Sequence, residues 1–399
     1  MPRANLPRNV WALSLASFLR DVASEMLTHL VPLFLANVLG VRFGLVGLIE
    51  GLAETTASFT KIAAGWLSDR TPRRKPYAVG GYALAATAVP VLVVASSWAQ
   101  VLFARFLDRL GKGIRTAPRD ALLADSLPAD RRGVGFGLHR AADTAGAFTG
   151  LLLAIWLVWQ SQQGALELSA ATFRTIAVWA IVPAILAPLV VAFGVRERAR
   201  KVGPDAGDAA RSVDAPLDPR FRRFLWVIVL FTLGNASDAF LVLRSQSAGA
   251  SVVEVLGMLA LFNLVGSLLA TPLGALSDRI PRRRLIAAGW GLYALVYLGF
   301  GLAESRWAYW GLWAVYGAYY ALTDGTAKAL VADVVQPEQR GTAYGYYNGA
   351  IGLTLLPASL LAGVLWQGLG AWGGFGPAAP FVVGAAFAGL AAGLLLRWV

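Results

Sequence analysis

The chain has 399 residues, of which 57% are hydrophobic and 15% charged, with a mean hydropathy of +0.59 and a net charge of +12. Soluble domains carry about 25% charged and about 45–50% apolar residues, so this composition excludes an ordinary soluble fold and points to a membrane. The absence of Cys excludes disulfides, thiolate metal sites and Cys nucleophiles.

A bilayer core takes about 20 mostly apolar residues per helix, and at about 30 residues per helix and loop the chain has room for roughly twelve spans. The apolar runs are too long, and lack the alternation, for membrane strands. The hydropathy pattern predicts helices over 9–38, 43–67, 77–97, 98–125, 134–160, 171–195, 220–245, 251–276, 283–303, 306–333, 341–368 and 375–397. The first run begins near Val10 and is too long for the core of a cleavable signal peptide.

In the first predicted helix, SFLRDVASEMLTH sets Asp21, Glu25 and His29 on one stripe at four-residue spacing. Its tail, HLVPLFLANVLG, carries Pro32. In the second, Glu50, Glu54 and Lys61 share a face. The fourth, over 98–125, is the most charged. Asp108, Lys112, Arg115 and Arg119 line one face, Arg105 and Arg109 flank it, and Asp120 follows. Each charge at the bilayer centre costs about 2.5–3.5 kcal/mol on insertion scales, so this cluster must face a hydrated cavity or paired groups rather than lipid. The fifth predicted helix carries His139, Arg140 and Asp143. The second half is barer, with Asn235, Asp238 and Arg244 in the seventh helix and Asp324 and Lys328 in the tenth.

The basic residues that terminate these helices fall on one side of a twelve-span chain. They are Arg3 and Arg8, the cluster at 70–75, Arg131 and Arg132, the many basic residues of 196–223, the cluster at 279–284, Arg340 and Arg397. The opposite loops hold few, such as Arg42, Arg174 and Arg306. This positive-inside pattern places both termini in the cytoplasm and accounts for the net charge without nucleic acid. Trp98, Trp307, Trp310 and Trp398 lie near predicted span ends, where indole rings favour the interface.

The polar, Pro- and Gly-bearing stretch 196–219 divides the chain into 1–195 and 220–399. The halves repeat each other: GWLSDRTPRRK (65–75) matches GALSDRIPRRR (274–284), and LLADSLPADRRG (122–133) matches LVADVVQPEQRG (330–341). Two copies of a six-helix unit account for both matches.

These residues resemble the major facilitator superfamily of secondary transporters. The likeness covers nearly the whole chain. The family's loop signature, G-x-L-x-D-R-x-G-R-(R/K), is met by Gly65, Leu67, Asp69, Arg70, Arg73 and Arg74, with Pro72 at the usual Gly. It is met again by Gly274, Leu276, Asp278, Arg279 and Arg282, with Pro281 at that Gly. In the family this loop is understood to stabilise the state closed towards the cytoplasm. The R-x-x-Q-G-x-G-x-G frame of many drug exporters is recognisable at Arg105, Gly111 and Gly113, with Asp108 at the Gln and Arg109 at the first Gly. The fifth-helix antiporter signature is poorly matched: LHRAADTAGAFTG has Gly146 and Gly150 but no Gly-Pro pair.

The resemblance implies an all-α integral membrane protein with twelve transmembrane helices in two pseudo-symmetric six-helix bundles, moving a small solute by alternating access. Asp21 and Glu25 are candidates for proton coupling, because paired acids in a low-dielectric site do not ionise together easily. Arg105, Asp108, Arg109, Lys112, Arg115, His139, Arg140, Asp143, Asn235 and Asp238 are candidate cavity residues. The expected activity is proton-coupled efflux of an amphipathic or drug-like compound, with carriage of an anionic solute on the basic face of the fourth helix as the alternative. No G-x-x-x-x-G-K-[ST], no G-x-S-x-G and only two His are present, so neither ATP-driven pumping nor an enzyme is expected. No metal or other cofactor is expected. The expected setting is the bacterial cytoplasmic membrane, as a monomer.

Overall fold

A computed structural model describes residues 6–31, 34–40, 43–161, 168–197, 217–235, 238–250, 252–368 and 372–399. Pro32 and much of the 196–219 stretch lie outside these residues, as do the side chains of Glu50 and Glu54.

The described residues form thirteen α-helices. In chain order they are α1 (Arg8–Thr28), α2 (Phe43–Asp69), α3 (Lys75–Val93), α4 (Trp98–Asp125), α5 (Arg132–Ser161), α6 (Ala170–Gly194), α7 (Pro219–Leu233), α8 (Ala239–Ser247), α9 (Val252–Ser277), α10 (Arg282–Leu302), α11 (Arg306–Val334), α12 (Arg340–Gln367) and α13 (Ala379–Trp398). Two expected single helices are divided. The first ends at Thr28 and is followed by a π-helical turn over Phe34–Val38. The seventh is split into α7, closed by Gly234, and α8.

Local chemistry explains several boundaries. Before α4, the Gln100 side chain accepts the backbone N–H of Ser96 at 2.7 Å and of Ser97 at 3.2 Å, supplying an acceptor to two orphan donors. Ser169 Oγ accepts the Thr172 N–H at 3.1 Å to start α6. Asp218 accepts the Arg220 N–H at 2.6 Å before Pro219, a residue suited to the first helical turn.

Seven of the described helical segments are long and apolar enough to cross a membrane. The helices α1, α2, α4 and α11 are not among them. In α1 and α4 the charged residues that lower the hydropathy are mostly turned inward, and in α11 so are Asp324 and Lys328. On α4, Arg105, Arg115, Arg119 and Asp120 are buried, whereas Phe103 and Phe106 are exposed. The charge is therefore kept off the outer surface.

The contacts define two compact units. One comprises Met1–Leu127, Ala142–Ala215 and Gln336–Asn348; the other comprises Pro128–Ala141, Pro216–Val335 and Gly349–Val399. In the first, α1 packs on α6, α2 and α3 on α4, and α3 on α6. In the second, α7 packs on α13, α9 and α10 on α11, and α10 on α13. This is the same packing order with each partner advanced by one repeat. The first core gathers Val22, Met26, Phe34, Val89, Leu92, Phe173 and Ile176. The second is aromatic: Phe231 stacks on Trp290 at 4.6 Å and Tyr293 on Tyr297 at 4.1 Å.

Candidate functional site

The charged helix α4 is held close to its neighbours by glycines of its own and of α3. A Cβ on Gly81 of α3 would stand 2.7 Å from the Arg115 backbone N, and one on Gly111 of α4 would stand 2.5 Å from the Gly81 carbonyl. On the other flank, a Cβ on Gly113 would meet Thr60 Cβ at 2.5 Å. The two glycines of the exporter-like frame thus let α4 approach α3 and α2 with backbone almost in contact, which any side chain would prevent.

This packing positions the guanidinium groups. Arg115 is buried with its guanidinium 4.5 Å from the centre of the Tyr82 ring, a cation–π arrangement in a desolvated site. Arg119 pairs with the adjacent Asp120 at 2.8 Å and donates to Ser17 Oγ of α1 at 3.2 Å. Asp108 forms an ion pair with Arg20 of α1, and its other carboxylate oxygen is 3.8 Å from Arg105. Arg109 and Lys112 are half-buried on the same helix.

Helices α1 and α5 also approach closely. Cβ atoms on Gly146 and Gly150 would fall 2.4 Å from the Phe18 carbonyl and 2.5 Å from the Val22 carbonyl. One turn away from Gly146, Asp143 becomes a charged neighbour of Asp21, together with Arg115, Glu25 and Lys112. Glu25 lies 3.4 Å from His29. The first unit therefore brings Asp21, Glu25, Lys112, Arg115 and Asp143 into one cluster, with Arg105 and Asp108 in a second cluster around Arg20.

The remaining predicted residues lie in the second unit. His139 is buried. Arg140 approaches Asp324 at 3.8 Å and lies 5.1 Å from the Tyr320 ring centre; Lys328 reaches the same Asp324 at 3.6 Å. Asp238 accepts a hydrogen bond from Tyr316 Oη at 2.8 Å. Asn235 Oδ1 accepts from Tyr293 at 3.3 Å and Tyr297 at 3.4 Å. Arg244 caps the far end of α10 by donating to the Phe300 and Gly301 carbonyls.

The repeated loop motif builds the same device in each unit. Asp69, fully buried, accepts the backbone N–H groups of Gly341 and Thr342 at the start of α12. Asp278 accepts those of Gly133 at 2.8 Å and Val134 at 2.9 Å, at the start of α5. Each carboxylate thus sits on a helix N-terminus, where orphan donors and the helix dipole favour an anion. Glycine is needed there: a Cβ on Gly133 would lie 2.3 Å from the Gly274 carbonyl, and one on Gly65 2.3 Å from the Gly341 carbonyl.

An Arg and a second acid complete each latch. Buried Arg74 pairs with Asp69 and Asp125, Arg340 pairs with the same Asp125, and Arg74 also donates to the Pro337 carbonyl at 2.9 Å. In the other unit Arg282 pairs with Asp278 at 3.1 Å and with Asp333 at 2.7 Å, and Arg132 reaches Asp333 at 2.7 Å. Burial alone would lower the Arg74 pKa; Asp125 and Asp69 outweigh it and the net shift is upward. Burial pushes the Asp278 carboxyl up, against the opposing pull of the Val134 and Gly133 N–H groups and of Arg282.

Three members of the expected motif set do not take part through the bonds just given. Arg73 is exposed, and Arg70 lies 3.9 Å over the Trp66 ring. Arg279 is also exposed. Arg74, Asp125, Arg132, Asp333 and Arg340 join the expected site residues in the latches; Asp125/Asp333 and Arg132/Arg340 stand at matching places in the second internal repeat. Arg20, next to Asp21, carries no such repeat signal.

The sequence matches the model of the Major Facilitator Superfamily over residues 13–353 and again over 238–399. The chain belongs to the major facilitator superfamily. A relative in Methanocaldococcus jannaschii, an uncharacterised MFS-type transporter, is 33% identical over 401 residues, covering 99% of this chain and 95% of its own. A protein of Aeromonas hydrophila named multidrug resistance protein MdtH is 31% identical over 148 residues, 37% of each chain. Among solved structures, the human organic anion transporter MFSD10 superposes with a TM-score of 0.80 at 19% identity, covering 98% of this chain and all of that one, a likeness of fold. The protein is a multi-pass membrane transporter of small molecules with the all-α, twelve-span superfamily fold.

Proposed function

We propose that this superfamily member is a proton-coupled exporter of an amphipathic compound, working by alternating access between two six-helix bundles, 1–195 and 220–399, joined by 196–219. The observation that carries the reading is the gathering of Asp21 and Glu25 of α1 and Asp143 of α5 beside Arg115 and Lys112 of α4. Neighbouring carboxylates in a low-dielectric site compete for one charge, and adjacent cations reverse the balance. A helix movement that alters those separations therefore changes how many protons the cluster holds.

The two loop latches serve as the gate in this reading. Their carboxylates bind backbone N–H groups at helix starts, contacts that are lost as a unit when the helices separate. Both lie beside the basic loops, the side that the positive-inside pattern assigns to the cytoplasm. Export is favoured by the exporter-like frame around Arg105, Gly111 and Gly113 and by the partial likeness to a multidrug resistance protein.

The test is substrate-dependent proton movement in proteoliposomes, read with an internal pH dye, for amphipathic cations, neutral compounds and anions. Coupled flux that disappears in Asp21→Asn and Asp143→Asn supports the reading; flux without proton movement in the wild type defeats it. A second reading, carriage of an anionic solute on the basic face of α4, is favoured by buried Arg115 and half-buried Arg109. It predicts that Arg109→Gln and Arg115→Gln abolish transport of anions alone.

A further inference from the structure

The residues that follow α6 are tied to both arms of the first latch. Glu197 lies at the start of α3, where Oε1 accepts the backbone N–H of Arg74 and Oε2 that of Lys75, both at 2.8 Å. In return the Lys75 ammonium donates to the Val195 carbonyl at 2.7 Å. Arg196, between these two, is held by α1: the Asn9 side-chain amide accepts the Arg196 N–H and donates to its carbonyl, each at 2.8 Å. The same Asn9 Nδ2 donates at 3.0 Å to the hydroxyl of Ser126, directly after α4.

The position of these contacts in the chain gives them a role beyond capping. Arg74 and Asp125 form the ion pair at the centre of the latch. Glu197 fixes the backbone of Arg74, and Asn9 fixes Ser126, the residue next to Asp125. Three consecutive residues, 195–197, therefore grip the two helix ends that carry the pair. A carboxylate on two orphan N–H groups at a helix start is a charge-assisted contact that the helix dipole favours. Its charge adds to those of Asp125 and Asp69 around the Arg74 guanidinium. That guanidinium has no exposed surface, so a displaced Arg74 backbone is not absorbed by a new side-chain path through solvent.

We infer that residues 195–197 form a clamp that holds Arg74 and Asp125 in register, with Glu197 and Asn9 as positioning residues of the latch. The 196–219 connection begins at this clamp, so displacement of its first residues loosens the Arg74–Asp125 pair. The effect on gating rests on the reading of the latch as a gate; the positioning of the pair does not, and the two are measured separately.

The experiment uses the full chain in proteoliposomes with a single Cys at Thr71, labelled by a maleimide, and the melting temperature of the same variants in detergent. Glu197→Ala should speed labelling by about fivefold, the equivalent of one lost helix cap. Glu197→Gln, which keeps an acceptor for one of the two N–H groups, should restore part of the protection. Asn9→Ala should also speed labelling, although among the described residues Asn9 makes no hydrogen bond to the 70–75 loop; it keeps the test open should Glu197→Ala not fold. Asp218→Ala, which removes a cap from α7, should leave the rate unchanged. In an Asp125→Asn background Glu197→Ala should add little to labelling or to the loss of melting temperature, because the clamp acts through the Arg74–Asp125 pair. Unchanged labelling in Asp69→Asn counts against the gate alone, and the melting temperatures then decide the clamp. Equal shifts from Glu197→Ala in the wild-type and Asp125→Asn backgrounds overturn the inference, marking Glu197 as a cap and no more. So do wild-type melting temperatures in both Glu197→Ala and Asn9→Ala, or an acceleration in Asp218→Ala as large as theirs.

Discussion

Asp278 accepts the backbone N–H of Gly133 at 2.8 Å, joining the loop after α9 to the first turn of α5. The equivalent bond in the other unit runs from Gly341 to Asp69 at 3.0 Å. The chain has no Cys, so a single Cys placed in either loop reports accessibility without background. Asp69→Asn keeps an acceptor oxygen but loses the charge facing Arg74. It should destabilise the protein by about 1.5–3 kcal/mol, the range for hydrogen bonds to charged groups. Labelling of a Cys at Thr71 should rise in Asp69→Asn, and labelling of a Cys at Ile280 in Asp278→Asn. Unchanged labelling in both variants would remove the latches from the gating account.

Arg73 and Arg74 are adjacent in the motif but should behave differently. Arg74 has no exposed surface and pairs with Asp69 and Asp125, whereas Arg73 is exposed. Removing one partner from a buried ion-pair network costs about 3–5 kcal/mol. Arg74→Met should therefore lower the melting temperature markedly, and Arg73→Ala should leave it unchanged within error. Equal effects would show that the burial of Arg74 is not what holds the loop.

That contrast locates what the sequence made legible. Span lengths follow from bilayer thickness and hydropathy, and α4 covers Trp98–Asp125 as the hydropathy predicts. The internal repeats marked both loops and both acids, Asp69 and Asp278. Which of two neighbouring arginines turns inward depends on helix start and loop path: Arg74 immediately precedes α3, while Arg282 is the first residue of α10. Spacing also placed Asp21 and Glu25 on one stripe, but the approach of Asp143 depends on Gly146 and Gly150 lying against the α1 backbone. Arg20 carries no signal in the sequence because its partner Asp108 is 88 residues away, beyond the reach of any helical period.

The glycines of α3 and α4 give a controlled packing test. A Cβ on Gly111 meets the Gly81 carbonyl at 2.5 Å and Ala85 N at 2.6 Å, whereas one on Gly80 meets nothing within 4 Å. Gly111→Ala should cost about 1–3 kcal/mol, as overpacking in a fixed backbone does. Gly80→Ala should be neutral or slightly stabilising, since Ala is the better helix former. Comparable melting temperatures for the two variants would mean that α3 and α4 yield more easily than their backbone contact implies.

The loop acid Asp278 sets a pH dependence with a defined sign. Burial raises its pKa, so the folded protein holds this proton more tightly than the unfolded chain does. Its contribution to stability is then fully present below the unfolded value and is lost as pH rises through the folded one. The melting temperature of the wild type relative to Asp278→Asn should fall as the pH rises above the ordinary carboxylate range. A difference that grows as the pH rises would mean that the Gly133 and Val134 N–H groups and Arg282 outweigh burial.

The proximity of Asp143 to Asp21 supplies the most direct test of coupling. If the two carboxylates share charge, with Arg115 and Lys112 as counter-ions, their effects on proton-coupled flux should not add. Asp21→Asn and Asp143→Asn should each reduce coupled flux by about tenfold or more, in the range of a lost proton-transfer group. The double variant should be little worse than either, because groups acting as a unit are non-additive. Glu25→Gln, whose carboxyl is also engaged with His29 at 3.4 Å, should lower flux less. Multiplicative losses in the double variant, measured in the same proteoliposomes, would show that the acids act in separate steps.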